Sequence, residues 1–211
     1  GEAVWETLIS DFEDGKMKKV YRAKDVRPRY NLRDSKIPRY DLLNIERYNR
    51  ITLQTTRGCP IDCSFCAASR LISKYKIKPI ANIRRELEAI VSIWRKPFIE
   101  LADDNTFYDK RWGKELANLF SEFRIRWFTE TDISIADDDQ LLEGLARSGC
   151  AQVLVGLESS IPEALKGIDA KDWKYKQFDS YLQKIEKIQS YGISVNGCFI
   201  LGLDSDDVST F

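Results

Sequence analysis

The sequence predicts an α/β fold built on a parallel sheet, on two observations. After residue 50, short apolar runs rich in β-branched and aromatic residues alternate with stretches whose apolar residues recur at helical spacing. The alternation repeats five times, and consecutive βα units imply parallel strands joined by right-handed crossovers. A third observation places the chemistry: the first of these strands runs straight into a loop that carries three of the chain's five cysteines. The pattern alone does not separate an open doubly wound sheet from a barrel.

Residues 1–48 read as a lead-in and 49–211 as the core. Ala3, Val4, Trp5, Leu8, Ile9 and Phe12 have helical spacing, and Gly15 stops the pattern. Residues 17–23 read as a short strand. Residues 24–40 carry Pro28 and Pro38 among many charges, which is linker composition. In the core, residues 51–56 are β-rich. Ile80, Ile83, Leu87, Ile90, Val91 and Trp94 mark one helix face. Residues 98–102 form a short apolar strand. Trp112, Leu116, Leu119, Phe120 and Phe123 mark a second helix, and residues 125–129 a third strand. Leu141, Leu142, Leu145 and Ala146 belong to a helix capped by Asp137 and ended by Gly149. Residues 151–157 are apolar nearly throughout, as in a parallel strand covered on both faces. Phe178, Tyr181, Leu182, Ile185 and Ile188 make another helix face closed by Gly192, and residues 193–201 a fifth strand.

The cysteine loop is the informative stretch. Residues 55–70 place Cys59, Cys63 and Cys66 in a CxxxCxxC spacing with Phe65 before the third cysteine. Thiolates are soft ligands, and three on one loop suit a single metal centre. A 4Fe–4S cluster normally takes four cysteines; three leave one iron open for a ligand, which suggests chemistry more than electron storage. Structural zinc would need a fourth ligand, and without histidine that could only be Cys150, Cys198 or a carboxylate. Disulfides are the weaker alternative, since five cysteines cannot all pair and no secretory segment is visible. Cys150 and Cys198 read first as small buried hydrophobes. A Cys198 facing a barrel lumen could instead donate hydrogen or join a substrate pocket.

Lysine plus arginine equals aspartate plus glutamate at 33 each, so no basic excess points to nucleic acid. No apolar run approaches the roughly 18 residues of a membrane span. Free thiols and the missing secretory segment fit a reducing cytoplasm. The 211 residues read as a piece of a longer protein.

The loop resembles the signature of the radical S-adenosylmethionine (SAM) enzymes in its three cysteines, their spacing and Phe65. The resemblance implies a 4Fe–4S cluster on Cys59, Cys63 and Cys66. SAM would chelate the open iron and be cleaved reductively to a 5′-deoxyadenosyl radical. The implied fold is a partial (βα)6 TIM-like barrel, truncated here after about five units, with its sixth strand beyond residue 211. The run Gln-Thr-Thr-Arg-Gly-Cys-Pro-Ile-Asp-Cys-Ser-Phe-Cys is closer still to the branch with a cobalamin-binding domain ahead of the core. The Gly-Glu…Trp…Leu…Gly…Tyr lead-in is similar to the end of such a domain, and the segment from Pro38 to Leu43 to the approach that follows it. That branch implies cobalamin-dependent methyl transfer to a small-molecule substrate; its alternatives are rearrangement, cyclisation or carbon–carbon bond formation. It also implies a low-potential electron donor of flavodoxin or ferredoxin type. A non-catalytic iron–sulfur or electron-transfer protein is the alternative of another class.

Active sites of α/β barrels gather at the C-terminal ends of the strands. Here those ends carry Asp103-Asp104-Asn105, Glu130-Thr131-Asp132, Gly156-Leu157-Glu158-Ser159 and Gly202-Leu203-Asp204, an acidic rim. Helix capping accounts for Asp137, Ser205 and Asp206 more readily than for Asp103 or Glu158. The resemblance implies that Asp103 or Asp104 holds the SAM amine, where many members have Gly-Gly-Glu. It implies a polar contact of Glu130 with the methionine carboxylate side or ribose, and ribose contacts from Gly156, Glu158 and Ser159. Ile200 and Gly202 match the adenine-contacting element, although Cys198 stands at that element's first glycine. The Phe65 backbone would meet the adenine edge. The resemblance assigns no catalytic residue.

Overall fold

Burial alternates along the strands, and that alternation decides which face of the sheet carries the helices. The computed structural model describes residues 1–25, 30–68 and 75–210. Pro28 of the expected linker, Ser69 and Arg70 at the end of the cysteine stretch, and Phe211 lie outside the described residues. The chain divides into two compact units, Gly1–Lys36 and Ile37–Phe211.

In the first unit, helix α1 (Glu2–Glu13) ends at a turn closed by Gly15 at φ +65°. Val4 is buried, while Trp5 and Phe12 are exposed. The strand expected over residues 17–23 does not form. Its apolar Met17 and Val20 are exposed. The run folds back on α1 instead: the Lys18 amide donates to the Tyr21 hydroxyl, which donates to Asp11 at 2.8 Å. A β-prone run without a neighbouring strand has nothing to pair with.

The second unit contains strands β1 (Ile51–Leu53), β2 (Thr56–Arg57) and β3 (Lys76–Ile77), then helix α2 (Ile80–Ile93) and β4 (Phe98–Leu101). Helix α3 (Lys110–Ser121), β5 (Arg126–Thr131), α4 (Asp139–Arg147) and β6 (Cys150–Glu158) follow. The chain continues through α5 (Trp173–Gln177) and α6 (Tyr181–Ser190) to β7 (Ser194–Phe199). A parallel five-stranded sheet runs in the order β1-β4-β5-β6-β7. Each crossover therefore steps in one direction. Right-handed crossovers that never reverse lay their helices on one face, the arrangement of a barrel wall and not of a doubly wound sheet.

The core lies between that face and the helices. Ile51, Leu53, Ile99, Leu101, Trp127, Val153 and Val155 meet Ile83, Leu87 and Ile90 of α2, Leu116 and Phe120 of α3, and Leu141 and Leu145 of α4. Trp127 sits at its centre, with Phe107 and Phe120 edge-on at 6.2 and 5.1 Å and its indole N–H on the Ser148 carbonyl. Gly149, at φ +88°, ends the α4 region as expected; a Cβ there would lie 2.3 Å from the Ile125 carbonyl oxygen.

Four local expectations change. Residues 51–56 are not one strand: β1 stops at Leu53, and β2 turns to pair antiparallel with β3. The apolar run of β6 is covered on one face only, since Gln152, Leu154 and Gly156 remain half-exposed. Leu182 points outward at 78 % exposure, so the α6 stripe is Tyr181, Ile185 and Ile188. The helix α4 is capped by Asp138, whose carboxylate accepts the Leu141 N–H at 3.0 Å; Asp137 instead pairs with Lys184.

Replacing Asp138 by Ala should therefore cost about 1 kcal/mol of stability, the usual loss for an N-cap. Asp137→Ala should stay within about 0.5 kcal/mol, as surface changes do. Denaturant midpoints of the two variants measure the difference, and the reverse ranking would return the cap to Asp137.

Candidate functional site

The cysteine loop follows β1 and β2 and is tied down by Asp103, Asp104 and Asn105 in the loop after β4. Asp103, 4 % exposed, accepts the Thr55 and Thr56 amides at 2.7 and 2.9 Å on one oxygen. Its other oxygen accepts the hydroxyls of Thr55 and Thr106. Asp104 accepts the Gly58 N–H at 2.7 Å, one residue before Cys59. Asn105 donates its side-chain amide to Asp132 at 2.8 Å and to the Cys59 sulfur at 3.8 Å. Burial pushes the Asp103 carboxyl up, while the threonine donors pull against it.

A second set of contacts holds the middle of the loop. Cys63 makes an antiparallel bridge with Asp169, and the Ser64 amide donates to the Ile168 carbonyl at 2.7 Å. Asp169 accepts the amides of Lys171, Trp173 and Lys174, so its carboxylate anchors the start of α5. Lys174, 5 % exposed, pairs with Glu158 at 2.9 Å and donates to the Gly156 carbonyl at 2.7 Å.

Burial raises the Cys59 thiol, opposed by N–H donors from Ile61 and Asn105. Burial pushes the Cys63 thiol up to about 12, opposed by the nearby Lys174 ammonium. Both opposing groups stabilise a thiolate, which is what a metal ligand must be. Among the described residues, no three Cys, Asp or Glu side chains converge on a point that would hold a single ion. A multi-iron cluster does not need such a point, because each iron takes its own thiolate.

The remaining expected site residues line the C-terminal edge of the sheet or the loops beyond it. Glu130 is exposed on the helix-free face; desolvation and then the carboxylates of Asp104, Glu100 and Asp103 push it above the ordinary range. The acidic rim is thus a real electrostatic neighbourhood, though several of its members are engaged. Glu158 is held at φ +67° by Lys174 and by the Ile200 amide on its carbonyl. Gly156 leaves room for that ion pair: a Cβ there would lie 2.3 Å from Glu158 Oε1. Ser159 accepts the Ile161 amide in a local turn. Gly202, at φ +96°, donates its amide to Asp206, so Asp206 closes this loop backwards and does not cap the helix after it. Ile200 is half-buried, and Phe65 is exposed. Cys198 is half-buried opposite Gly156 on the helix-free face, and its thiol is raised by desolvation and then by Glu158 and Glu130. Cys150 is a buried core residue.

Sequence reasoning missed Lys174 and Asp169. Lys174 is one lysine among several in the run from Lys171 to Lys176, and nothing local distinguishes the one that turns inward.

The family model described as Radical SAM superfamily matches residues 53–211. Over 218 aligned residues the chain is 26 % identical to a bacteriochlorophyllide d C-12(1)-methyltransferase of Chlorobaculum tepidum, covering all of this chain and 46 % of the relative. It is 28 % identical to a hopanoid C-2 methylase of Rhodopseudomonas palustris, over 82 % of this chain and 34 % of that protein. The chain thus spans less than half the length of these relatives. Among solved structures it resembles the radical S-adenosylmethionine methyltransferase TsrM from Kitasatospora setae, solved with cobalamin and a 4Fe–4S cluster bound. The TM-score is 0.70 at 21 % identity, over 79 % of this chain and 34 % of that one, and this likeness carries the fold.

Two outcomes follow from the ties on the loop. Asp103→Ala strands two amides and should cost roughly 2–5 kcal/mol, whereas Asp104→Ala, losing one bond, should cost about 1 kcal/mol. Urea denaturation separates them, and equal small losses would show that Asp103 does not anchor the loop. Asp169 is the pH-sensitive tie. Burial alone would raise its carboxyl, but the three backbone donors outweigh it and the net shift is downward. Its contribution is therefore present above the unfolded carboxylate value of about 3.9 and disappears as pH falls through the lower folded value. Asp169→Asn should be less stable than wild type at neutral pH, with the gap closing in acid. A gap constant across the titration would refute the assignment.

Proposed function

The chain belongs to the radical SAM superfamily, and from that premise we propose that it is the core of a cobalamin-dependent radical SAM methyltransferase acting on a small-molecule substrate. The observation that carries the reading is the seating of the cysteine loop. Cys59, Cys63 and Cys66 lie just past β2, on a segment tied to Asp104 and Asn105 after β4 and to Ile168 and Asp169 in the connection from β6 to α5. Soft thiol donors, two N–H groups on Cys59 and the Lys174 ammonium near Cys63 form a donor set that fits an iron–sulfur cluster. Cys59, Cys63 and Cys66 would hold three irons of a 4Fe–4S cluster and leave the fourth for SAM. Bound together, these groups would supply radical chemistry able to take hydrogen from an unactivated carbon, and cobalamin would supply a methyl group.

The chain's own residues then bind and orient. Asp103 has both oxygens taken by Thr55, Thr56 and Thr106, so the SAM amine falls to Asp104 through the oxygen that does not hold Gly58. Glu130, exposed and surrounded by like charge, gains most from a cationic or hydroxyl-bearing ligand. Glu158 offers ribose the oxygen that Lys174 does not hold, and Gly156 and Ser159 set its position. The Phe65 backbone, Ile200 and Gly202 would contact adenine. Residues 1–48 close a preceding cobalamin-binding domain, and residues 49–211 form the core. The methyltransferase reading is supported by the names of the relatives and by the cobalamin of the structural neighbour. A reducing cytoplasm and a low-potential flavodoxin- or ferredoxin-type donor suit free thiols and a cluster that must be reduced. No helix among the described residues is long and apolar enough to cross a membrane.

The test is made on the full-length protein. Anaerobic reconstitution should give about four irons and four sulfides per chain. Ala at any one of Cys59, Cys63 or Cys66 should remove them, and Cys150→Ala should not. With SAM, reductant, cobalamin and a substrate methylated at carbon, 5′-deoxyadenosine and S-adenosylhomocysteine should form in step with product. One zinc without sulfide would end the cluster reading. A cluster that yields 5′-deoxyadenosine but never S-adenosylhomocysteine would end the methyl-transfer reading.

A further inference from the structure

Asn105 is buried at 3 % exposure, directly after the two aspartates that tie down the loop. Its side-chain nitrogen lies 2.8 Å from Asp132 Oδ2 and 3.8 Å from Cys59 Sγ. Both neighbours are acceptors, so only one orientation of the amide is consistent with them: the NH2 group faces both, one hydrogen to each. The other end of the amide, Oδ1, is buried without a hydrogen-bond partner among the described residues. A buried amide that leaves its acceptor unpaired while both donors are directed needs an explanation. The donors are held in place by a chain of contacts. Asp132 is locked at the end of β5 because its other oxygen accepts the Ser134 amide at 2.8 Å. Asn105 therefore bridges the ends of two neighbouring strands and presents an N–H to the first cysteine of the loop.

We propose that Asn105 is a hydrogen-bond donor to the Cys59 thiolate that raises the reduction potential of the iron–sulfur cluster, with Asp132 as its positioning residue, an inference that rests on the cluster reading of the loop. Hydrogen bonds to cluster sulfurs and nearby charge are among the groups that set cluster potentials. An added electron makes the cluster and its thiolates more negative. An N–H aimed at the sulfur stabilises that state and makes reduction easier. The amide also stands between the Asp132 carboxylate and the sulfur. Removing it would take away a donor and bring an anion to face the cluster, and both changes act in the same direction. Cys59 has a second donor in the Ile61 amide, so loss of Asn105 weakens the stabilisation without abolishing it.

The experiment uses the reconstituted full-length protein. In a redox titration followed by electron paramagnetic resonance, Asn105→Leu should keep its four irons and shift the midpoint to lower potential. In wild type labelled with 15N at the asparagine side-chain amide, pulsed resonance of the reduced cluster should show a nitrogen coupling that Asn105→Leu lacks. An intact cluster with an unchanged midpoint, or a wild-type cluster without that coupling, overturns the proposal. Should Asn105→Leu fail to fold or assemble, the presence or absence of the coupling in wild type decides alone. A wild-type chain that assembles no iron–sulfur cluster overturns the reading of the loop itself, and this inference with it.

Discussion

The buried carboxylate of Asp103 is the contact on which the cysteine loop depends. A loop that leaves a sheet has amides with no strand to pair with, and buried unpaired amides are costly. Asp103 resolves this by accepting Thr55 and Thr56 where the β1 ladder stops. It also explains why residues 51–56 do not continue as one strand. The side chain takes the place of a ladder partner, and the freed chain turns away to pair with β3. The carboxylate can be buried because its oxygens are satisfied, including by two threonine hydroxyls. The next two side chains then carry the order outward, Asp104 accepting the Gly58 amide and Asn105 donating to Cys59.

The other side of the loop depends on a charge pair. Lys174 and Glu158 are both nearly buried, and each is the other's ion partner. Glu158 also sits in the left-handed region, a conformation that a non-glycine residue keeps only where its surroundings enforce it. Lys174 supplies that enforcement while donating to the Gly156 carbonyl. The same ammonium lies near Cys63, so one cation holds the end of β6 and lowers the cost of charge on the loop. Removing either partner would strand a buried charge, which is why the pair behaves as one unit.

Much of the fold was legible because parallel βα units leave a strong periodic trace. Trp127, Leu116 and Val153 lie where the apolar spacing puts them. The failures are local. Met17 and Val20 have strand-like chemistry without a partner strand, and pairing is not written in a single run. Asp137 and Asp138 both satisfy a capping preference; only the geometry of the turn says which carboxylate reaches the Leu141 amide. Cys59, Cys63 and Cys66 were legible because a short-range spacing carries them. Lys174 and Asp169 were not, because their roles exist only once Ser64 docks on Ile168, about a hundred residues along the chain.

The acidic rim shows how composition and geometry divide the work. Read along the chain, Asp103, Asp104, Glu130 and Glu158 are four equivalent candidates for a cationic or hydroxyl-bearing ligand. In three dimensions they are not equivalent. Asp103 is consumed by the loop, Glu158 is neutralised by Lys174, and Asp104 keeps one oxygen clear of Gly58. Of the four, Glu130 alone is exposed, and its carboxyl is raised by desolvation first and then by the like charges of Asp104, Glu100 and Asp103. A ligand that brings positive charge relieves that repulsion, whereas an anionic one adds to it. On the function proposed above, the engagement of Asp103 with the loop and of Glu158 with Lys174 leaves Asp104 and Glu130 as the two carboxylates to meet a cationic group beside the cysteine loop.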